Sequence, residues 1–448
     1  MTRAFDIIII GGGNAGFAVS KVAQAAGKTI AFIEERDFGG TCPNRGCTPK
    51  KVLVAAATAL QQIAVAHVHG IDVGPATLNW ARLIARKNAM ISHIPGAMKA
   101  VAEKRGTVFQ GRAQFTGPNT VQVGDDTLTA KDIVIATGSR TRPLTIPGAE
   151  LLITSDEVLS EPVLPAEVVF IGGGVIAMEF AHVYVRAGAK VTILELAPKL
   201  LGRMDADAVA VIAAETERLG VTIKTGVKVL AVEQNGDHLQ VRYEHDGRAQ
   251  TVQAARVVNG SGRIANVDGL ALDAAQISHD GIRIEVDAHL RSVSNPAVWV
   301  AGDAVAQTAQ LSPIATYEGQ IVGHNIVHGP TRTPDYRVLP SAVYTVPALA
   351  SVGLTGKEAA DQGLDIAVTV TDMTGWFSAK SYAETVAWAK VIVDRGTDQI
   401  IGAHLVGHHG EELVQLFAMA MTHGISASQL RDSPAAYPTF ASDMKNLF

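Results

Sequence analysis

Two cysteines, Cys42 and Cys47, are the residues with the clearest chemical potential, and the 448-residue chain contains no others. They lie in the stretch GGTCPNRGCTPKK, with four residues between them and Gly46 directly before the second. A tetrahedral zinc site needs two further ligands, and the flanking residues offer no other Cys or His. In a chain without secretion features, a close pair of thiols is more typical of a redox couple than of a structural disulfide. The spacing therefore predicts thiol–disulfide exchange.

The composition suits a protein with two or three well-buried domains. Hydrophobic residues make up 47% of the chain and charged residues 18%, with a net charge of −5. Lys and Arg are scattered, so no basic patch indicates nucleic acid as a partner. No uninterrupted apolar span reaches about 20 residues, so no membrane partner is expected. The first strand begins by Phe5, which leaves no room for a signal peptide, and we expect a cytoplasmic location.

The pattern AFDIIIIGGGNAGFAVSKVAQAAGKTIAFIEE predicts a strand, a glycine turn, a helix and a second strand. In the predicted strand Asp6–Ile10 the four residues after Asp6 are continuously apolar, as in a strand that is covered on both faces. The turn and the second strand supply the candidate dinucleotide-binding residues Gly11, Gly13, Asn14, Ala15, Gly16 and Glu34. Glycines let backbone N–H groups approach a pyrophosphate, and an acid at the strand end binds ribose hydroxyls. A turn that merely packs a helix on a sheet is the alternative.

The same pattern recurs about 160 residues later in EVVFIGGGVIAMEFAHVYVRAGAKVTILEL. Its predicted strand is Val168–Ile171, and Ala177 takes the place of the third glycine. The corresponding candidate residues are Gly172, Gly174, Val175, Ile176 and Glu195. Two such patterns indicate two separate dinucleotide sites.

The remaining sequence connects and follows these two units. Residues 76–104 have helical periodicity, and the strand-like DIVIATGS and VWVAGDA end in Thr137-Gly138 and Gly302-Asp303. From about Tyr336 alternating patterns predict antiparallel strands, with helices near Glu411–His423 and Ser426–Asp432. The predicted fold class is therefore α/β, with two Rossmann-like dinucleotide-binding domains and an α+β C-terminal domain.

Taken together, these motifs resemble the flavin-dependent pyridine nucleotide–disulfide oxidoreductases, which include glutathione reductase and dihydrolipoamide dehydrogenase. The resemblance rests on both glycine turns, GGTCPNRGCTPKK, ATGS, VAGDA and YPTFASD, and covers essentially the whole chain. It implies FAD in a domain split between residues 1–146 and 264–330, and NAD(P) in residues 147–263. It also implies a homodimer formed by residues 331–448, whose tail contributes to the partner subunit's active site.

In this family, electrons pass from nicotinamide through FAD to a disulfide and on to an acceptor. The resemblance assigns Cys47 to the flavin side and Cys42 to attack on the substrate. The helix that begins near Thr48 would favour a Cys47 thiolate through its N–H groups.

Further roles are carried over from the family motifs. Lys50 would lie near the flavin and pair with Glu179, which would hold positive charge beside the reduced flavin; a solvated Lys50 is the alternative. The remaining positions that match FAD-lining residues are Thr41, Ala113, Thr137, Gly138, Gly262, Asp303 and Ser312.

The C-terminal motif departs from the family pattern. Tyr437 replaces the histidine that shuttles protons, and Ser442 falls at the position of its glutamate, with Asp443 one residue later. A phenol with a pKa near 10 is a poor base at neutral pH, although it can donate a proton. Arg45 could compensate by lowering the pKa values of the thiols. Tyr437 is therefore a candidate catalytic residue, with packing at the dimer interface as the alternative.

Glu195 favours NADH over NADPH, because a carboxylate accepts from a ribose 2′-hydroxyl and repels a 2′-phosphate. The next two residues, Leu196 and Ala197, are apolar, although Lys199 and Arg203 remain nearby.

The predicted acceptor is a small disulfide. A quinone or metal ion is the alternative, since the histidine–glutamate pair is missing, and a catalytically decayed flavoprotein is a third possibility. The tail has no second thiol pair, which disfavours the larger thioredoxin reductases and mercuric reductases. No bound metal is predicted, and the histidines of AHLVGHHGEE are interpreted as solvated loop residues.

Overall fold

The computed structural model describes residues 2–305 and 309–448. The strands are β1 (Thr2–Ile10), β2 (Ile30–Glu34), β3 (Thr107–Gln110), β4 (Ala113–Gly117), β5 (Thr120–Val123), β6 (Asp126–Ile135), β7 (Ser139–Thr141), β8 (Glu167–Ile171), β9 (Lys190–Leu194), β10 (Thr222–Lys224), β11 (Lys228–Asn235), β12 (His238–His245), β13 (Arg248–Ala254), β14 (Arg256–Asn259), β15 (Arg263–Ala265), β16 (Val298–Val300), β17 (Ser341–Val343), β18 (Ala348–Gly353), β19 (Ile366–Asp372), β20 (Trp388–Asp394) and β21 (Ile400–Gly407). The α-helices are α1 (Asn14–Ala25), α2 (Thr41–Arg45), α3 (Cys47–Val65), α4 (Trp80–Ile91), α5 (Ile94–Arg105), α6 (Ser155–Val158), α7 (Val175–Ala187), α8 (Ala206–Arg218), α9 (Ser312–His328), α10 (Gly356–Asp361), α11 (Phe377–Ser381), α12 (Gly410–His423), α13 (Ala427–Asp432) and α14 (Phe440–Asp443).

The chain forms two compact units. The first contains Met1–Lys50, Ala85–Arg142 and Gly262–Asp335, and the second contains Lys51–Ile84, Pro143–Ser261 and Tyr336–Phe448. The second unit thus includes both the second glycine turn and the C-terminal sheet. Because the units do not separate these two parts, the four-segment division at residues 146, 263 and 330 stays a prediction.

The sheet of the first unit has the order β3-β2-β1-β6-β5-β4, with β16 also paired to β6. Its parallel part is β3, β2, β1, β6 and β16. Residues 7–10 of β1 pair with residues 30–33 of β2 and are almost fully buried, as the continuous apolar run predicts. Parallel strands end at the same edge, so the turns after β1, β6 and β16 meet there.

Two helices of the first unit, α1 and α9, pack unusually closely. A Cβ atom on Gly319 of α9 would lie 2.4 Å from the carbonyl oxygen of Ala15 in α1. One turn later, a Cβ on Gly323 would lie 3.0 Å from Cβ of Val22. Because small residues allow this close packing, the start of α9 lies beside the start of α1.

The second unit contains a parallel sheet, β10-β9-β8-β14, and a three-stranded antiparallel sheet, β11-β12-β13. Its C-terminal part is an antiparallel sheet of order β17-β18-β21-β20-β19, on which α12 packs. The predicted α/β fold class is confirmed, with two Rossmann-like sheets and an α+β C-terminal region.

The helices expected from periodicity are present. The region 76–104 contains α4 and α5, and the two predicted C-terminal helices are α12 and α13. The helix expected from Thr48 begins one residue earlier, at Cys47.

One helical stretch, Thr41–His69, is long and apolar enough by composition to cross a membrane. The stretch consists of α2, α3 and a short 3₁₀ turn, and 28% of its most apolar window is buried. Length and composition alone are weak grounds for a membrane span, since core helices of soluble proteins meet the same test.

Candidate active site

The first glycine turn joins β1 to α1 in a conformation that favours glycine. Gly11 has a φ of +113°, and a Cβ atom there would lie 2.2 Å from the carbonyl oxygen of Ala136. A Cβ atom on Gly16 would lie 2.2 Å from the carbonyl oxygen of Gly11. Gly13 is the N-cap of α1, which begins at Asn14 without a side-chain cap. The first N–H groups of α1 are thus suited to receive a pyrophosphate.

Glu34, at the end of β2, is held by two backbone N–H groups. Gly12 donates to Oε2 at 2.7 Å, and Arg36 donates to Oε1 at 2.8 Å. Glu34, Ala113 and Thr137 line a cleft with about 530 Å³ of empty space. The Thr137 hydroxyl is buried there and has no hydrogen-bond partner in the described part of the chain. This fixed carboxylate and unpaired hydroxyl beside a phosphate-binding turn fit the adenosine and pyrophosphate groups of FAD.

The second glycine turn repeats the first. Gly172 has a φ of +104°, and a Cβ atom there would lie 2.4 Å from the carbonyl oxygen of Gly260. Gly174 is the N-cap of α7, whose first residues are Val175 and Ile176. The geometry is that of a second dinucleotide-binding turn.

Glu195 directly follows β9 and is held in the same way as Glu34. Its carboxylate accepts from the N–H of Gly173 and, at 2.6 Å, from the N–H of Ala197. Leu196, between Glu195 and Ala197, is 71% exposed. The carboxylate is therefore fixed in position before any ligand binds.

The two cysteines belong to consecutive helices, with Cys42 in α2 and Cys47 at the start of α3. A Cβ atom on Gly46 would lie 2.9 Å from the carbonyl oxygen of Thr41, so the small ring between the thiols needs glycine. Both thiols are free, Cys42 partly exposed and Cys47 exposed. The structure thus contains the dithiol form of the predicted redox couple.

The two thiols share a proton. Cys47 donates a hydrogen bond to Cys42, and Ser312 donates another, which lowers the pKa of Cys42 to about 6 despite the opposing effects of burial and Asp303. The pKa of Cys47 is raised, chiefly because its proton is held in the hydrogen bond to Cys42. In this dithiol form the hydrogen bond places the charge on Cys42 and the proton on Cys47, and the thiolate expected at Cys47 stays a prediction.

Alkylation of the reduced protein should report the lowered pKa of Cys42. We expect its rate with iodoacetamide to rise about tenfold per pH unit below pH 6 and to level off above it. Cys47→Ala removes the main hydrogen-bond donor, so the midpoint should rise toward the value of an ordinary thiol, about 8.5. Ser312→Ala should raise the pH midpoint of Cys42 alkylation by less than Cys47→Ala does. Mass spectrometry of the Cys42 peptide measures the alkylation rate at each pH. A wild-type midpoint near 8.5 would contradict the hydrogen bond between the two thiols.

Ser312 connects three helices at Cys42. It begins α9, accepts a hydrogen bond from Asn14 Nδ2, and donates to Cys42 of α2. From the sequence, the family resemblance predicted only that Ser312 lines the FAD site. Its hydrogen bond to the attacking thiol joins residues 270 positions apart, and its bond from Asn14 joins residues 298 positions apart, which no local pattern contains.

Lys50 and Thr41 flank the thiol pair in the first unit. Lys50 lies in the first turn of α3, is 9% exposed, and its charge lowers the pKa of Cys47 against the larger opposing effects. Thr41 begins α2. A solvated Lys50, the alternative interpretation, is excluded by this burial.

Arg45, between the two cysteines, pairs with a carboxylate. Its Nη1 forms an ion pair with Asp37 Oδ2 at 2.8 Å, and the largest influences on the thiol pKa values come from other groups. The expectation that Arg45 compensates for the missing histidine stays a prediction.

Asp303 lies in a short 3₁₀ turn after β16. Ser139 Oγ donates to its Oδ2 at 2.7 Å, and Arg263 Nε donates to Ser139 Oγ at 2.9 Å. Glu318, fully buried in α9, accepts from the N–H of Gly302 at 2.7 Å. Ser139, Arg263 and Glu318 were missed from the sequence, although Ser139 completes the ATGS motif and Glu318 interrupts an apolar helix. They position the aspartate that the resemblance assigns to FAD.

Gly138 and Gly262 bracket the same region. Both have positive φ values, +71° and +104°, and the strands that follow them, β7 and β15, pair with each other. The chain leaves the first unit shortly after Gly138, at Arg142, and returns to it at Gly262.

Glu179 and Tyr437 belong to the second unit. Glu179 lies on α7, is 5% exposed, and accepts a hydrogen bond from the N–H of Tyr344 at 2.9 Å. Its predicted pairing with Lys50 stays a prediction. Tyr437 is 76% exposed in the single chain. Ser442 is turned inward, donating to the carbonyl oxygen of Thr439, and does not replace the family glutamate.

Within residues 2–305 and 309–448, no group of three or more His, Cys, Asp or Glu side chains is arranged to hold a metal ion. His408 and His409, in the stretch AHLVGHHGEE, pack against aromatic rings. The interpretation of the histidines in this stretch as solvated loop residues is wrong for His404, which lies in β21 and is 1% exposed, and for His408, which is largely buried.

Comparison with known proteins agrees with the fold and the site. Residues 5–319 match the family "Pyridine nucleotide-disulphide oxidoreductase", and residues 339–448 match its dimerisation domain. The chain is 33% identical to glutathione reductase of Burkholderia cepacia, over 99% of this chain and 98% of that protein. It is 32% identical to dihydrolipoyl dehydrogenase of Mycoplasma pneumoniae, over 97% and 96%.

Among solved structures, the Cu(II) complex of the HOCl-induced flavoprotein disulfide reductase RclA from Escherichia coli is similar, with a TM-score of 0.89 and 27% identity over 99% of both chains. The chain therefore belongs to the pyridine nucleotide–disulphide oxidoreductase family. It is an FAD-dependent enzyme that moves electrons between a nicotinamide and a disulfide, and it carries a dimerisation domain.

Proposed function

We propose that this enzyme uses NADH to reduce a small-molecule disulfide through Cys42 and Cys47. The observation that carries the proposal is the hydrogen-bonded dithiol, in which the pKa of Cys42 is lowered to about 6. A thiol with this pKa is largely ionised at neutral pH, and the thiolate is the form that attacks disulfides.

The exchange proceeds in two steps. The Cys42 thiolate attacks one sulfur of the substrate RSSR, which forms a mixed disulfide and releases RS⁻. The Cys47 thiol then loses its proton and attacks Cys42, which re-forms the enzyme disulfide and releases the second RS⁻. Each RS⁻ takes up a proton, so the sum is NADH + H⁺ + RSSR → NAD⁺ + 2 RSH. Bound FAD supplies the two-electron link between nicotinamide and the cysteines.

NADH is favoured by Glu195. Its carboxylate is fixed by the N–H groups of Gly173 and Ala197, and it would accept from a ribose 2′-hydroxyl but repel a 2′-phosphate. The exposed Lys199 and Arg203 are the cations that would have to offset this repulsion for NADPH to bind.

Glu195→Ala should raise the use of NADPH relative to NADH. Because the change removes both the ribose acceptor and the repelling charge, we expect the ratio of the two kcat/KM values to shift by about tenfold or more. Steady-state kinetics with both nucleotides measure it. Glu167→Ala, at the opposite end of β8, is the matched control and should leave the ratio unchanged. An unchanged ratio in Glu195→Ala would remove the NADH preference.

A second candidate function is reduction of a non-disulfide acceptor, a quinone or a metal ion. Two observations favour it: the tail has Tyr437 in place of a histidine, and the similar protein RclA forms a Cu(II) complex. Without a histidine in the tail, protonation of a leaving thiolate depends on another group.

A homodimer and a cytoplasmic location complete the proposal. The dimerisation domain supports the homodimer, as does the fully exposed run of residues 431–439 in the single chain. We propose that this run, with Tyr437, contributes to the active site of the partner subunit. A dithiol couple suits a reducing compartment, which supports the cytoplasm.

The test is anaerobic reduction of the yellow protein with NADH, followed by separate additions of glutathione disulfide, lipoamide, a quinone and Cu(II). Reoxidation by a disulfide, with recovery of the oxidised flavin spectrum, supports the proposed function. Reoxidation by the quinone or Cu(II) alone supports the second candidate and contradicts the first.

A further inference from the structure

A histidine–carboxylate pair lies in the second unit, outside the site described above. His408 Nδ1 and Glu384 Oε1 are 2.9 Å apart, and their side chains are only 19% and 15% exposed. The carboxylate orients the imidazole through Nδ1, and no described residue forms a hydrogen bond with Nε2. A histidine that is oriented at one nitrogen by a carboxylate is an arrangement suited to proton transfer at the other.

The His408–Glu384 pair lies beside the C-terminal tail. The ring of Phe440 lies 5.2 Å from that of His408, and Tyr382 stacks on His408 at 5.2 Å with an interplanar angle of 20°. The rings of Tyr382 and Phe440 are themselves 5.6 Å apart, so the three rings form one cluster. Phe440 is three residues after Tyr437. The short segment that lacks the expected histidine therefore packs directly on a histidine from another part of the chain.

We propose that His408 and Glu384 supply the proton for thiol exchange that the tail itself lacks, with Tyr437 as the group that transfers it. This inference rests on the proposed function and on the tail reaching the partner subunit's cysteines. When Cys42 attacks RSSR, the protonated His408 gives its proton through the Tyr437 hydroxyl to the departing RS⁻, which leaves as RSH. Neutral His408 then regains a proton from solvent. His408 acts through Tyr437 and is a positioning and relay residue.

The charges around His408 suit this role. The titratable groups that face His408 are the carboxylate of Glu384, the phenol of Tyr382 and the imidazole of His409, whose ring centroid lies 3.7 Å away. The pKa of His409 is lowered by burial and by the charge of His408, although Glu411, Glu384 and Glu412 oppose this.

The test compares His408→Asn with His423→Asn, an exposed histidine at the end of α12, in the full-length FAD-loaded enzyme. Disulfide turnover is measured between about pH 5.5 and 9, together with the rate of reduction by NADH. We expect His408→Asn to lower disulfide turnover by about 100-fold and to abolish its alkaline decline, with NADH reduction unchanged. His423→Asn should match wild type.

A second variant shows whether His408 transfers a proton or only packs against the tail. Tyr437→His restores a histidine in the tail, and in that background His408→Asn should cost less than about twofold. An unrescued loss, or an unchanged pH profile in His408→Asn, would overturn the relay.

A readout that needs no substrate keeps this test distinct from the proposed function. If the relay reaches the partner's cysteines, His408→Asn also shifts the pH midpoint of Cys42 alkylation, whereas no shift overturns the inference. A wild-type enzyme that reduces no disulfide would overturn the proposed function, and the alkylation midpoint would still decide whether His408 reaches Cys42.

Discussion

Cys42→Ser should lower kcat/KM for disulfide reduction by about 1,000-fold or more, while NADH still reduces the bound FAD. The reason is chemical: a serine hydroxyl is not ionised at neutral pH and cannot form the mixed disulfide, whereas the pKa of Cys42 is lowered to about 6. Steady-state turnover with glutathione disulfide or lipoamide gives the loss, and stopped-flow absorbance gives the rate of flavin reduction.

Thr48→Ala is the matched control for Cys42→Ser, since Thr48 is exposed and lies beside Cys47 without a proposed role. It should retain disulfide turnover. Turnover of quinone or Cu(II) by Cys42→Ser at the wild-type rate would assign those acceptors to a route without the thiols. Wild-type disulfide turnover in Cys42→Ser would contradict the mechanism.

Gly11→Ala should yield a colourless, destabilised protein. A Cβ atom at this position would lie 2.2 Å from the carbonyl oxygen of Ala136, so the ends of β1 and β6 must separate. We expect a loss of about 3 kcal/mol or more in unfolding free energy and loss of FAD, because the clash lies under the phosphate-binding turn. Flavin absorbance and denaturant unfolding measure both effects.

Gly27→Ala distinguishes the clash from backbone strain. Gly27 also has a positive φ, +72°, but no atom lies within 4 Å of the Cβ position. The variant should lose about 1 kcal/mol and keep its FAD. Equal effects of the two substitutions would show that strain, rather than the contact with Ala136, decides the outcome.

The sequence was sufficient wherever the determinant is local. The apolar run of β1, the glycines at Gly11 and Gly172, and the acids Glu34 and Glu195 are spaced by the geometry of a strand, turn and helix. Their positions follow from backbone sterics within some 30 residues, so the two dinucleotide-binding turns could be predicted with their residues.

The protonation of the cysteines could not be predicted in this way. Helix position alone favoured a Cys47 thiolate, but the structure gives the lower pKa to Cys42, because Cys47 and Ser312 both donate to it. The ion pair between Arg45 and the carboxylate of Asp37 was likewise not predicted. Both outcomes depend on side-chain orientation and on hydrogen bonds whose energies exceed the local effect.

The sequence by itself determined the family, the two nucleotide sites and the thiol pair, because each is encoded by residue types at short, regular spacing. Only the tertiary structure decided which sulfur is ionised, which groups position Asp303, and that His408 and Glu384 stand beside the tail. These features join segments far apart in the chain. Hydrogen bonds and charge interactions act over a few ångströms in space, and the number of residues between two positions does not determine how far apart they lie in the fold.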